Sequence, residues 1–511
     1  MKKPRWVWSR STVRTFACVL IGVALVQAAW VLAVPPFRGV DEHEHAYKAA
    51  AVARGDWSAH HAASEQGWGE FVTVPRSLVE AATPVCESLE YTTEDNCRPG
   101  AERDGDTVLV ASSAARYNPA FYFVIGTAAR AFDGTAALYA MRAIGAALCA
   151  LLIALAAVAT RLWARTPWPM VGVLVAATPT FLYSNAVAAP NGVEGASAML
   201  VWAALLGLAR SLPSSPHIRT FLVLATIGAL PLATVRGLGV LWLGLIVGTT
   251  AILLSADHLK QLMRRRDAQV SAAIIGSMAL LGVGWTLYAS VGDTSTVTDD
   301  VPGSPWPEIP AQVFVWFLQS VAAIPTRTEP SPAVVYAIVI VTWSILAFLG
   351  VRRASRQGRT ALVAVLLVST VVPVAATVAT YEQIGFAWQG RYMYPYSMGF
   401  LLICGYILDR SRRAPGMNNA WPVWAAAALA VSAQLIGQLD LVATQLATSP
   451  LSGTSAWRAP TPVVLIALTV GGAAVLGWAL SRPCERDPDH ELDRDSPASA
   501  GRRVGASSVG L

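Results

Sequence analysis

Charge is scarce in this chain. Of 511 residues only 14% are Asp, Glu, Lys or Arg, where a soluble globular domain carries about a quarter. With 54% of the residues hydrophobic, that shortage excludes a soluble enzyme, a disordered chain and a fibrous one. Cysteine is scarce as well: there are six, and none stand at zinc-like spacing. Also missing are the alternating segments of about ten residues from which bilayer-spanning β-strands are built. The net charge of +6 is not gathered into a nucleic-acid-binding patch. Lys and Arg sit at the edges of apolar runs, so no nucleic-acid partner is expected. What is abundant is apolar runs of about 18 residues or more, each long enough to cross hydrocarbon. The expected fold is an all-α polytopic membrane protein.

Twelve spans are expected, near 13–34, 138–160, 168–188, 192–210, 219–234, 237–255, 269–290, 331–350, 360–380, 392–409, 420–440 and 460–480. The first follows Lys2, Lys3, Arg5, Arg10 and Arg14. It is long for a signal sequence and has no A-x-A site before Pro35-Pro36, so it reads as a retained signal-anchor. An even count puts both termini on one side. The basic clusters Arg264-Arg265-Arg266, Arg352-Arg353 and Arg412-Arg413 then lie on the cytoplasmic side, while short external loops keep only Arg236, Arg327, Arg391 and Arg458. This is the asymmetry that orients a plasma-membrane protein. Residues 1–480 read as one membrane domain and 481–511 as a disordered cytoplasmic tail.

Two external loops are long. The first, 35–137, is acidic on balance and holds Cys86 and Cys97, a disulfide candidate in an oxidising compartment. The second, 291–330, carries an apolar stretch at 310–323 too short to span. It reads as an interfacial helix, with Trp306 and Trp316 suited to that depth. The stretch 121–132 reads the same way.

A charge beside a bilayer is costly and needs a reason. The first loop opens with Asp41-Glu42-His43-Glu44-His45, five ionisable groups at a span exit. A helix from Asp41 to about Arg54 puts Asp41, His45 and Lys48 on one face. One reading makes Asp41 or Glu42 a general base oriented by His45. Another makes the cluster a divalent-cation site of carboxylate and imidazole ligands. The zinc-protease motif is excluded, because His43-Glu44 has no second His at the required spacing. The plain alternative is an acid-capped helix start in water.

Four further features lie at the same face. Gln389-Gly390-Arg391-Tyr392 opens a late span; Arg391 suits bidentate phosphate recognition, and Gly390 would let a ligand approach the backbone. Pro190-Asn191-Gly192 is a tight turn, with Glu194 at the head of the next span. Arg236 sits in a minimal hairpin, and Arg142 lies one turn inside the second span. Each alone suits a structural role. Together, carboxylates and arginines converge on the external face, as transfer from a lipid-linked phosphosugar requires. The tail stays in lipid, the phosphate meets Arg, and a base deprotonates an acceptor hydroxyl.

The chain resembles the bacterial domain-of-unknown-function family 2142, polytopic proteins similar to the GT-C glycosyltransferases. The resemblance rests on four ordered stretches. They are Pro35-Pro36 with Asp41-Glu42-His43-Glu44-His45; Tyr117-Asn118-Pro119-Ala120-Phe121-Tyr122 with Arg142; Thr178-Pro179 with Pro190-Asn191-Gly192; and Gly390-Arg391-Tyr392 with Pro395. Three positions depart from the pattern: Val40 stands where Pro is usual, Ala189 where Asn is usual, and the second long loop has no Gly-x-Phe-Gly-Trp-type stretch.

The resemblance implies a GT-C-like fold and an inverting transfer from a polyprenyl-phosphate sugar to an extracytoplasmic envelope glycan or glycolipid. Asp41 matches the acidic residue of the first external loop in that superfamily, with Glu42 next and His45 beside them. Arg391, Arg236 and Arg142 would bind the donor phosphate. Tyr117, Asn191, Glu194, Gln389 and Tyr392 would line the site. No cofactor is implied beyond the divalent cation already considered. Two rivals are a transporter or flippase of a lipid-linked precursor, and a non-catalytic envelope scaffold.

Overall fold

The structure, a computed structural model, describes residues 9–58, 60–64, 69–103, 105–290, 303–411 and 419–482. The expected tail, the first part of the second long loop and Arg412-Arg413 lie outside the described residues. Helix α1 (Arg10–Ala33) is capped by the Ser9 hydroxyl, which accepts from the Thr12 N–H, and it stops before Pro35-Pro36. The first loop then holds α2 (Glu42–Ala53), β1 (Glu70–Pro75), α3 (Arg76–Cys86), α4 (Glu94–Cys97), β2 (Thr107–Ser112) and α5 (Pro119–Gly126). The bundle continues through α6 (Gly134–Trp163), α7 (Trp168–Val175), α8 (Pro179–Ser184), α9 (Asn191–Arg210), α10 (Ile218–Val235), α11 (Gly239–Ile252), α12 (Ala256–Met263) and α13 (Arg266–Tyr288). After α14 (Ile309–Ala322) come α15 (Ala333–Arg353), α16 (Arg356–Ile384), α17 (Gly390–Ser397), α18 (Gly399–Arg410), α19 (Trp421–Thr448) and α20 (Pro462–Leu480).

Among the described residues nine helices are long and apolar enough to cross a membrane: α1, α6, α9, α10, α13, α15, α16, α19 and α20. Three of the twelve expected spans differ. The stretch 168–188 is broken into α7 and α8, 392–409 into α17 and α18, and 237–255 forms the 14-residue α11. The break at 176–178 has a cause in Pro179, which cannot donate into a preceding turn. Carbonyls freed inside a bundle need donors, and each of three finds one. Val175 accepts from Trp343 Nε1 at 2.9 Å, Ala176 from the Tyr394 hydroxyl, and Ala177 from the Gln434 amide Nε2 at 2.9 Å. Side chains from α15, α17 and α19 thus hold the broken segment.

The first loop is not purely helical either. Strands β1 and β2 pair antiparallel, with Val72 opposite Val110 and Val74 opposite Val108. All four valines are buried, so the ribbon packs its β-branched face inward. A disulfide joins Cys86 to Cys97 and ties α3 to α4. The interfacial stretch at 310–323 is α14, which exposes Phe314, Val315 and Phe317.

Helix α9 is buried along most of its length, with α6 and α10 against it. By contrast α13, α15 and α16 present large apolar side chains outward, among them Leu280, Leu287, Phe348 and Val371. A contiguous apolar belt of that kind suits hydrocarbon, not water. At the end of the bundle away from the long loops, Asp409 holds the α6–α7 turn. It accepts from Arg165 N (2.8 Å), Thr166 N (2.7 Å) and Thr166 Oγ1 (2.9 Å), and faces Arg210 at 3.4 Å.

Candidate active site

The site is built on the exit from α1. Phe37 and Asp41 both adopt positive φ, 62° and 57°, a region that Asp tolerates better than most residues. The two turns separate neighbouring acids. Glu42 is wholly buried and faces the bundle, while the Asp41 side chain stays 29% exposed at its rim.

Glu42 meets Arg142 of α6 in a bidentate pair, Nε–Oε1 2.7 Å and Nη2–Oε2 2.6 Å, with both side chains fully buried. Glu42 also accepts from the backbone N–H of Ala188 (2.9 Å) and Gly39 (3.3 Å). Arg142 spends its remaining donors on the carbonyls of Val31, Val34 and Pro35 at the end of α1. The expectations that Glu42 serves as a second base and Arg142 as a phosphate ligand are therefore corrected. Every donor of the guanidinium and every strong acceptor site of the carboxylate is occupied, and water does not reach them. This pair is an anchor for the α1 exit.

Asp41 instead meets Arg391, which the start of α17 supplies: Nη2 lies 3.0 Å from Oδ2. The Tyr91 hydroxyl reaches Oδ1 at 3.5 Å. Burial, the largest influence, favours the neutral acid, but Arg391 with His45 and His43 together outweigh it and hold the Asp41 carboxyl below its usual range. Behind this pair stands a second cation. Arg236, from the turn after α10, lies 3.4 Å from Glu194 Oε2 and 4.3 Å from the centre of the Tyr392 ring. Arg391 lies 5.4 Å from the same ring. Asn191 joins the two guanidiniums. Oriented by its neighbours' hydrogen bonding, its amide oxygen accepts from Arg391 Nε at 3.2 Å and Arg236 Nη1 at 2.8 Å. Gln389, the residue before α17, is buried beside Arg391 with its Oε1 unpartnered among the described residues.

His45 does not orient Asp41. Its Nδ1 bonds the Tyr122 hydroxyl at 2.8 Å, and its ring stacks between Tyr117 and Tyr122. Burial pushes the imidazole down to about 3, against the pull of Asp41, so it is neutral at ordinary pH. Lys48 points away, donating to the Ser58 carbonyl at 3.2 Å. Gly390 is close-packed against protein and not against a ligand: a Cβ there would stand 2.0 Å from the Trp316 carbonyl of α14.

Of the residues singled out from sequence, Asp41, Arg391, Arg236, Asn191, Glu194 and Tyr392 come together, with Tyr117, His45 and Gln389 at the edge. Tyr91 and Glu44 were not foreseen. Glu44 looks like one more acid in a charged run, and Tyr91 lies in a loop with no distinguishing pattern. Among the described residues no group of three His, Cys, Asp or Glu side chains converges to hold a metal ion. Glu42 is committed to Arg142 and His45 to Tyr122, so these two are not free to serve as cation ligands.

A family model described as "Predicted membrane protein (DUF2142)" matches residues 24–400. No curated protein matches. Among solved structures, ArnT from Cupriavidus metallidurans in the apo state is similar over 91% of this chain and 77% of its own, at 15% identity and TM-score 0.42. The same protein bound to undecaprenyl phosphate matches over 90% and 77%, at 15% identity and TM-score 0.38. The Archaeoglobus fulgidus oligosaccharyltransferase in the apo form matches over 95% of this chain and 59% of its own, at 12% identity and TM-score 0.32.

Proposed function

The chain belongs to the DUF2142 family of predicted membrane proteins, and from that premise we propose that it is a glycosyltransferase working at the face of the membrane that carries the long loops. It moves a sugar from a polyprenyl phosphate to an envelope acceptor, outside the cytoplasm. The observation that carries the reading is the placement of Asp41, a half-buried carboxylate, 3.0 Å from Arg391, with Arg236 tied to Arg391 through Asn191. A carboxylate thus stands beside a pair of cations just past the end of the first apolar helix.

The chemistry follows from the charges. A polyprenyl-phosphate sugar is a phosphodiester with one negative charge. Its phosphate takes the N–H groups of Arg391 and Arg236. Competition for Arg391 frees Asp41, whose carboxylate becomes a stronger base once its counter-ion is shared. Asp41 accepts the proton of an acceptor hydroxyl as that oxygen bonds to the anomeric carbon. The bond from the anomeric carbon to the phosphate oxygen breaks, and polyprenyl phosphate leaves with the electron pair. The added charge on the phosphate develops where the two guanidiniums already point. Attack opposite the leaving group inverts the centre. The disulfide in the first loop supports an oxidising location for this face.

The test compares lipid extracts from cells lacking the protein with extracts from cells carrying Asp41→Asn. A polyprenyl-phosphate sugar accumulating in both supports transfer with Asp41 as base. Accumulation in the deletion alone removes Asp41 from the chemistry. Purified protein that moves the donor lipid without releasing polyprenyl phosphate would make it a transporter.

A further inference from the structure

Asp41 has two different sides. On one stand Arg391 and Arg236, both cationic. On the other stand Tyr91, whose hydroxyl reaches Oδ1 at 3.5 Å, and Glu44, one turn along α2. The Glu44 side chain is buried, and no cation pairs with it among the described residues. It is held by Ser113, just after β2, whose hydroxyl donates to Oε2. The neighbouring Ser112 hydroxyl donates to the Glu44 carbonyl at 2.9 Å, so main chain and side chain are both fixed to the ribbon. Lys48, the basic residue one turn further on, is aimed at Ser58 and does not neutralise it.

A buried carboxyl with no cation is stable as the neutral acid. Burial first, and the Asp41 charge next, push Glu44 up to about 8, with Ser113 opposing. The titratable groups whose fields meet it are Asp41, Tyr47, Tyr91 and Tyr122. None of these is a cation. Like Glu44, the tyrosines are neutral at ordinary pH, their hydroxyls pushed up by burial.

Resting on the transferase reading above, we propose that Glu44, pinned by Ser113, hydrogen-bonds the acceptor hydroxyl that Asp41 deprotonates, and that the acceptor is an uncharged, hydroxyl-bearing glycoside. A neutral carboxylic acid can donate to a hydroxyl oxygen while the hydroxyl donates to Asp41. That places the nucleophile between one acid and one base. The cationic side of Asp41 is left for phosphate, and Glu44 offers a charged sugar no cation of its own.

The experiment uses the full-length protein in lipid nanodiscs. The donor is the polyprenyl-phosphate sugar isolated from the deletion strain, and the acceptor probes are octyl glucoside, octyl galactoside and octyl glucuronide. Glu44→Ala is expected to raise the KM of the uncharged acceptors about tenfold with the donor KM unchanged. Glu44→Gln, which keeps shape and a donor, should recover part of the acceptor affinity lost in Glu44→Ala. In the wild type activity falls as pH rises through about 8, and that alkaline limb should be absent from Glu44→Gln. The glucuronide should be the poorest acceptor.

An independent readout is the infrared difference between wild type and Glu44→Gln, recorded at about pH 6.5 and about pH 9.5. The carbonyl band of a protonated carboxyl is expected at the lower pH only. A missing band overturns the assignment of Glu44 whatever the enzyme does. An alkaline limb retained in Glu44→Gln, or an unchanged acceptor KM in Glu44→Ala, overturns it while leaving transfer itself in place. Absence of transfer by the wild type from this donor to any of the three probes, with the infrared band present, overturns the acceptor role and the transferase reading together.

Discussion

Asp41 and Arg391 stand 350 positions apart in the chain and 3.0 Å apart in the structure. Their contact joins the exit of the first membrane helix to the start of α17. It also sets the electrical state of the Asp41 carboxyl.

The pH dependence of that base has a definite sign. Arg391 holds the Asp41 carboxyl low against burial. Removing it in Arg391→Gln takes away the largest influence opposing burial, so the carboxyl titrates at higher pH. With Asp41 as the proposed base, the ionised form is the active one, so the acid limb of the rate profile should move to higher pH. Asp41→Asn should lower turnover by about 10²–10⁴-fold, the usual worth of a general base, with little change in thermal stability. A pH–rate series on both variants measures this. An acid limb that stays in place in Arg391→Gln would separate the two residues.

Glu42 and Arg142 should behave in the opposite way. Breaking a buried ion pair on one side costs about 3–5 kcal/mol, because the other charge is left unpaired. Glu42→Gln and Arg142→Met are each expected to lower the unfolding midpoint in detergent. The double variant Glu42→Leu with Arg142→Met should recover only part of the loss. The carbonyls of Val31, Val34 and Pro35 lose their donors in either case. Full recovery would mean that the carbonyl bonds contribute nothing.

The adjacent acids show what a sequence can and cannot reveal. Asp41, Arg391, Arg236 and Asn191 were legible because charge and turn chemistry at span ends are costly or distinctive. That Asp41 faces the rim and Glu42 the interior was not legible, because it depends on a positive φ at position 41. Arg142 and Arg391 look alike as isolated arginines beside apolar runs; only the tertiary contacts tell them apart. The spans were legible from length and polarity. The break at 176–178 had a signal in Thr178-Pro179, overridden by the apolar run around it. The ribbon also had one in Phe71-Val72-Thr73-Val74, hidden in a loop read only for its charge.

Asn191 offers a prediction with two opposed readouts. Its oxygen is shared by two guanidiniums, whose mutual repulsion it relieves without adding charge. Asn191→Asp would add the missing charge, so the folded state should gain stability. The same carboxylate would occupy the place of a phosphate, so the donor KM should rise by about tenfold or more. Thermal unfolding and donor titration of one purified variant decide it. A donor KM that stays at the wild-type value would move the phosphate elsewhere.

The disulfide bears on which side of the membrane the loop occupies. Cys86 and Cys97 are bonded, whereas Cys18, Cys149 and Cys404 are not. In intact cells a membrane-impermeant maleimide should label neither loop cysteine until reductant is added, and both afterwards. A cysteine placed at exposed Glu102 should label from outside, and one placed at exposed Met263 should not. Reversed labelling would turn the protein over in the membrane.

The Glu42–Arg142 pair also constrains biogenesis. The two charges are a hundred residues apart, and burying either one ionised without the other is costly. Helix α1 therefore reaches the bilayer well before its own exit can be closed. As an ionised group Glu42 is better held in water until α6 has been synthesised and delivers its arginine. The first loop is made in that interval, so its ribbon and disulfide can form while α1 is still unlatched. The step that closes the membrane domain around α1 is thereby timed by the arrival of one side chain on the second span.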